Sequence, residues 1–160
     1  MESFLYKAYL SYSHEDQVWA DWLHRALERY RVPRRLAGES GEELPRSLAP
    51  VFRDRDDLSS APDLAQTLGA ALEQSGHLVV LCSPSSAESR WVNDEIRNFR
   101  ALGRGDRILC VVVDGDPQAP LGEGGCFPPA LFEGEGASQR EPLAADPRPY
   151  ADGKQLALLK

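Results

Sequence analysis

The sequence predicts an α/β sandwich, a mostly parallel β-sheet with helices packed on both faces. Three observations carry this. Short apolar or β-rich runs alternate with segments of helical periodicity from the N-terminus to Asp114, strand then helix throughout. Two of those runs, HLVVLCS and RILCVVVDG, are continuously apolar rather than alternating, as strands covered on both faces are. Finally, 160 residues at 42% hydrophobic and 27% charged suit one well-packed soluble domain and are short for two.

The elements follow in order. YKAYLSY is a β-rich run ending in small and polar residues. Ser13 stands three residues before Asp16 in SHED, an N-cap signal with acid in the first turn. Val18, Trp22, Ala26, Leu27 and Tyr30 then recur at helical spacing. RVPRRLAGESGEELPRSL is interrupted by Pro and Gly and reads as loop or short turns. APVFRD is a brief second strand, followed by the long polar loop RDRDDLSSAPD. LAQTLGAALEQ is a second helix with Leu64, Leu68, Ala71 and Leu72 on one stripe. The strand HLVVLCS leads through Pro84 into a third helix expected over 85–102, and RILCVVVDG is a doubly covered fourth strand.

After Asp114 the chain becomes dense in Gly and Pro and weak in periodicity. That predicts surface loop, with room for one short edge strand or turn of helix. KQLALLK reads as a helix cut short, so the chain is expected to be part of a longer one. The expected organisation is a core over residues 1–117 and a Gly/Pro-rich extension over 118–160, packed on the core or leading to a further domain.

Several function classes are set aside by what the chain lacks. Its net charge is −7 with no Lys/Arg block, which argues against direct nucleic-acid binding. The longest apolar run, ILCVVV, is far shorter than a membrane span, and the N-terminus has no signal-peptide pattern. Cys82, Cys110 and Cys126 are odd in number and form no Cys-x-x-Cys pair, which predicts free thiols and a cytoplasmic setting. There is no glycine-rich phosphate loop and no G-x-S-x-G elbow. His14, His24 and His77 are scattered without metal-ligand spacing, so no metal is expected. A phosphoacceptor domain needs acids after strands one and three, where this chain has SYSH and CSP.

An open sheet of this kind binds ligands beyond the carboxyl ends of its strands. The stretch SRWVNDEIRNF begins just past the CSP corner, and in it Trp91 and Glu95 lie one turn apart on one helical face. Val92, Ile96 and Phe99 make the buried stripe of that helix, which puts Trp91 and Glu95 on its flank, at the rim of an apolar wall. Two readings of Glu95 stand: a solvated residue favoured by the helix dipole, or a carboxylate placed for chemistry. Trp91 either stacks on a substrate or walls a pocket, packing being the commoner role.

Four stretches, YKAYLSYSHED, VFRDRDDL, LVVLCSPSSAESRWVNDEI and ILCVVVDG, together resemble the Toll/interleukin-1 receptor (TIR) domain in its bacterial form, over roughly residues 4–117. The resemblance implies a flavodoxin-like three-layer sandwich with a central parallel five-stranded sheet. It also implies, as in many members, cleavage of NAD+, bound as substrate with no separate cofactor. Trp91 and Glu95 match the family's Trp-x-x-x-Glu pattern, which makes Glu95 the implied catalytic residue. Tyr12, Ser13, Phe52, Arg53, Ser83 and Trp91 are the implied substrate-binding candidates. Ser13 reads equally as an N-cap, Phe52 as core before ligand wall, and Arg53 as a pyrophosphate partner or one member of a self-satisfied charged loop.

The loop RDRDDLSSAPD corresponds to the family's loop that shapes both substrate cleft and self-association surface. By resemblance the chain is then an NAD+ nucleosidase, hydrolase or cyclase, activated by homo-oligomerisation with other TIR domains in bacterial signalling or antiphage defence. A sensor or effector domain on the same longer chain is expected. The competing reading is a non-catalytic TIR adaptor, a class that tends to lack the Glu found here. Three departures mark this chain: Ser-Ala-Pro-Asp where the loop usually carries Gly, Val92 where Cys is common, and Lys7, Ala8 and Tyr9 where Asp-Ala-Phe is common. All are expected to lie away from Glu95.

Overall fold

A computed structural model describes residues 3–37, 46–53, 64–134, 142 and 144–148. The strands are β1 (Ala8–Ser11), β2 (Val51–Arg53), β3 (Leu78–Cys82), β4 (Ile108–Val112) and β5 (Ala144–Ala145). All pair in parallel, in the order β2-β1-β3-β4-β5. Strand order reverses between β1 and β3, which makes this a doubly wound, flavodoxin-like sheet. The α-helices are α1 (Gln17–Arg29), α2 (Arg34–Ala37), α3 (Leu64–Glu73), α4 (Pro84–Glu88) and α5 (Arg90–Phe99). The fifth strand comes from the Gly/Pro-rich part of the chain, as the room for a short edge strand allowed.

Strand alternation sorts side chains into two cores. Ala8 and Leu10 of β1, with Val79 and Leu81 of β3, meet Ala20, Trp19, Leu23 and Leu27 of α1. On the other face Tyr9, Leu78, Val80, Cys82, Cys110 and Val112 meet Leu72 of α3 and Val92, Ile96 and Phe99 of α5. Every residue of β3 is buried, as its unbroken apolar run predicts. The cysteines are buried free thiols. Among the described residues no helix is long and apolar enough to cross a membrane.

Three expectations are corrected. The packed face of α1 is Trp19, Ala20, Leu23 and Leu27; of the expected stripe of Val18, Trp22, Ala26, Leu27 and Tyr30 only Leu27 belongs to it, and Val18 and Tyr30 are about half exposed. Apolar residues span somewhat more than half of this helix's circumference, so periodicity leaves its phase open by one position. The fourth strand is covered on its second face only in part: Leu109 is 50% exposed, while Val111 and Val113 further along that face pack with the α1-side cluster. The third helix is interrupted. Ser89 takes an extended conformation, φ −72° and ψ 115°, and divides α4 from α5.

The interruption has a local cause. Ser83 caps α4 by accepting from the Ser86 amide, and Ser89 caps α5 by accepting from the Val92 amide. Serine favours such caps over helix interiors because its short hydroxyl competes for backbone groups. Asn93 completes the junction. Its buried amide donates to the carbonyls of Ala87 at 3.1 Å and Ser89 at 2.9 Å, and its Oδ1 accepts from the Ala130 amide at 2.9 Å. Past α5 a wide turn over Arg100–Arg104 ends the helix, with Gly103 at φ +80° where other residues are strained.

Asn93→Ala should remove this partner from the Ala87 carbonyl and the Ala130 amide, while the Ser89 carbonyl keeps the Asn93 backbone amide, and cost about 1–3 kcal/mol. In a chain of this size that lowers the melting temperature by a few degrees. An unchanged melt would remove the amide from this account of α5.

Candidate active site

Helix α5 carries the candidate carboxylate because of its amphipathic spacing. Val92, Ile96 and Phe99 are fully buried against the sheet, Trp91 on the flank is 42% exposed, and Glu95 is 7% exposed. Facing it across a narrow cavity of about 170 Å³ is α3, which contributes Leu68, Gly69 and Leu72. Gly69 has open space where a Cβ would lie, so that side of the cavity is kept clear by the absence of a side chain. The floor is Tyr9 of β1, fully buried, whose hydroxyl donates to Glu95 Oε1 at 3.1 Å. Tyr9 is itself braced by Phe52, stacked with ring centroids 5.1 Å apart, and Phe52 meets Tyr6 edge-on at 5.1 Å.

This position differs from the one expected. Glu95 is the sixth residue of α5, and α4 has already used up the corner beyond β3, so the cavity sits between α3 and α5 on the helical face of the sheet rather than beyond the strand ends. The expectation that the first-strand departures lie away from Glu95 is also corrected, since Tyr9 touches it. A tyrosine in a wholly buried strand needs a partner for its hydroxyl, and Glu95 supplies it.

Of the binding candidates, the structure brings Trp91 to the cavity with Glu95 and sets Phe52 behind Tyr9. The others lie elsewhere. Tyr12 packs on the α1 side of the sheet, and Ser13 precedes the 3-10 turn His14–Asp16 without a side-chain cap bond. Arg53 is ion-paired with Asp21 of α1. Ser83 is buried and donates to Asp16 Oδ2 at 2.5 Å. Burial pushes the Asp16 carboxyl above the usual carboxylate range, the Ser83 bond opposes that, and the charges of Asp114 and Glu15 add to the rise. Of the loop RDRDDLSSAPD, residues 54–63 lie outside the described residues.

The wall bearing Glu95 is held from outside as well. Arg97 bonds Asp94 at 3.0 Å and Glu133 at 2.7 and 2.9 Å, which ties α5 to the 3-10 turn Pro129–Phe132 just before Glu133. Among the described residues no group of His, Cys, Asp or Glu is placed to hold a metal ion.

The geometry is that of a single buried carboxylate in a small, mostly apolar cleft, with Trp91 at its side. A family model described as TIR domain matches residues 9–141. The chain belongs to the TIR-domain family. Over 112 residues it is 38% identical to a protein named NAD(+) hydrolase ApTIR from an Actinoplanes species, a stretch that is 69% of this chain and 14% of that protein. The chain thus spans about one seventh of the length of that curated relative. Among solved structures it is similar to the TIR domains of the activated Roq1 resistosome directly recognizing the pathogen effector XopQ. That similarity has TM-score 0.48 and 22% identity, over 70% of this chain and 60% of that one.

Within this TIR domain, Tyr9→Phe deletes one oxygen and leaves the stacked ring in place. Loss of the bond to a buried carboxylate should cost about 1–3 kcal/mol. A double-mutant cycle with Glu95→Ala should show a coupling of at least about 0.5 kcal/mol, the range for side chains in contact. Strictly additive melting shifts would mean that the two side chains do not support each other.

Proposed function

We propose that this TIR domain cleaves the nicotinamide–ribose bond of NAD+, with Glu95 as the carboxylate that acts on the ribose. The observation that carries the reading is Glu95 in the α3/α5 cavity, four residues after Trp91 and anchored by Tyr9. A relative at 38% identity bears the name NAD(+) hydrolase, which supports the same substrate. The cavity, about 170 Å³, is smaller than the roughly 300 Å³ at which ordinary small-molecule sites begin, so it suits one end of a dinucleotide, its nicotinamide and adjoining ribose.

The chemistry needs little from the protein. As the bond from ribose C1′ to the pyridinium nitrogen breaks, its electron pair passes to the ring and neutral nicotinamide leaves without a general acid. Positive charge develops on the sugar. One carboxylate therefore suffices where most glycosidases use two. Glu95 accepts hydrogen bonds from ribose hydroxyls, orients the sugar and stabilises the developing cation from an environment that water screens poorly. Water then adds at C1′ and gives up a proton, leaving ADP-ribose; attack by a nucleophile within the same molecule gives a cyclised product instead. Trp91, half-exposed at the cavity wall, gives the leaving ring a flat surface.

We further infer that activity depends on self-association, within a signalling or defence role. The polar, mixed-charge stretch RDRDDLSSAPD leads directly in sequence into α3, one wall of the cavity, so a contact made by that stretch with a second copy bears on the site. A head-to-tail contact would propagate copies along a filament, whereas a self-complementary one would stop at a dimer.

Two outcomes are expected. Glu95→Gln keeps an acceptor for Tyr9 but removes the charge, and should lower nicotinamide release by at least about a hundredfold with little change in the melt. Near-normal turnover in the folded variant would remove Glu95 from the catalytic role, and no release by the concentrated wild-type protein would favour the adaptor reading. Turnover per molecule should also rise with protein concentration and fall with added salt. A flat rate across a wide dilution series would leave an enzyme that works as a monomer.

A further inference from the structure

Three basic side chains converge at the amino edge of the sheet. A cavity of about 310 Å³ opens there, lined by Phe4, Tyr6, Lys7, Gly76, His77 and Arg107. Lys7 immediately precedes β1, His77 precedes β3 and Arg107 precedes β4, and these three strands are neighbours. Leu78 pairs with Ile108 and Tyr9 with Leu78, so His77 and Arg107 occupy adjacent register positions, with Lys7 one step further out. Three basic side chains are thereby gathered at one mouth in a chain whose net charge is −7.

Lys7 and His77 are exposed, and among the described residues neither meets an acidic side chain. The arrangement is nonetheless well supported. The Arg104 guanidinium lies 4.5 Å from the Phe4 ring centroid and donates to the carbonyls of Glu73 at 2.8 Å and Ser75 at 3.0 Å, closing the end of α3. Arg107 lies over the same ring at 5.7 Å. A Cβ on Gly76 would come within 3.2 Å of Phe4, so glycine lets the ring fold over that part of the cavity wall. Backbone bonds from Tyr6 to the Gln74 carbonyl and from Gly76 to the Tyr6 carbonyl hold the two segments together.

We propose that this cavity is a binding site for a small phosphate-bearing molecule of mononucleotide size, separate from the Glu95 cavity. Lys7, His77 and Arg107 take the phosphate and the aromatic walls of Phe4 and Tyr6 take its organic body. At about 310 Å³ the space reaches the lower end of small-molecule sites and exceeds what a bare anion needs. The inference stands on this edge alone and does not depend on the reaction at Glu95.

The test is titration of the full chain with AMP, ribose 5-phosphate, adenosine and inorganic phosphate, followed by calorimetry and by the imidazole resonances of His77. AMP should shift those resonances saturably. Adenosine should bind at least about tenfold more weakly, and rising salt should weaken AMP but not adenosine. Lys7→Glu should weaken AMP by at least about fivefold and Lys7→Gln by less, both without a change in melt, since Lys7 is exposed. Equal binding of AMP and adenosine, wild-type affinity in Lys7→Glu, or unmoved His77 resonances would overturn the proposal. Inorganic phosphate binding as tightly as AMP would overturn the organic half of it.

Discussion

The seating of α5 on the sheet is the constraint on which the candidate site depends. A single continuous helix from Pro84 would emerge from the corner after β3 with one rotation. The break at Ser89 allows a second, and Asn93 selects it by closing the Ala87 and Ser89 carbonyls and gripping the Ala130 amide. With that rotation Val92, Ile96 and Phe99 enter the core together, which leaves Glu95 no direction but into the groove facing α3. The stripe and the carboxylate are one geometric fact. An error of one residue in α5 would exchange a core leucine-sized side chain for a charge, at a cost well above the few kcal/mol by which domains of this kind are stable.

Such a carboxylate is expensive to bury alone, and the chain answers it from the opposite layer. Tyr9 belongs to a strand that is wholly buried, so its hydroxyl faces the same requirement as the carboxylate, and each meets the other's need. Phe52 holds the tyrosine ring from the neighbouring strand. The groups around Glu95 thus come from β1, β2, α3 and α5, which are far apart in the chain and converge only because the strand order reverses beside β1.

This explains what could be read in advance. The alternation of strands and helices was legible because β3 and the stripe of α5 are strongly patterned, and Trp91 with Glu95 was legible because both sit on one short helix. Tyr9 was not, since a tyrosine in a β-rich run is the ordinary composition of a strand and its partner lies 86 residues away. The phase of α1 is not legible for a different reason: its apolar arc is wide enough to hold two neighbouring stripes, and only the packing against Ala8 and Leu10 decides between them. Leu109 misled because an apolar strand reads the same whether or not a helix covers its second face.

The two ends of the sheet differ in a way that bears on where ligands go. At the carboxyl edge, where an open sheet usually binds them, two pairs among the described residues are already matched: Ser83 with Asp16, and Arg53 with Asp21. Each such pair has given up the water it would otherwise keep, so a ligand arriving there must first undo a satisfied contact and receives little in return. The α3/α5 groove differs because Gly69 leaves space and Trp91 remains partly exposed. The amino edge differs because Lys7 and His77 are brought together with no acidic side chain among the described residues to meet them. Chemistry follows unspent interactions, and in this domain those lie on a helical face and at the starts of the strands.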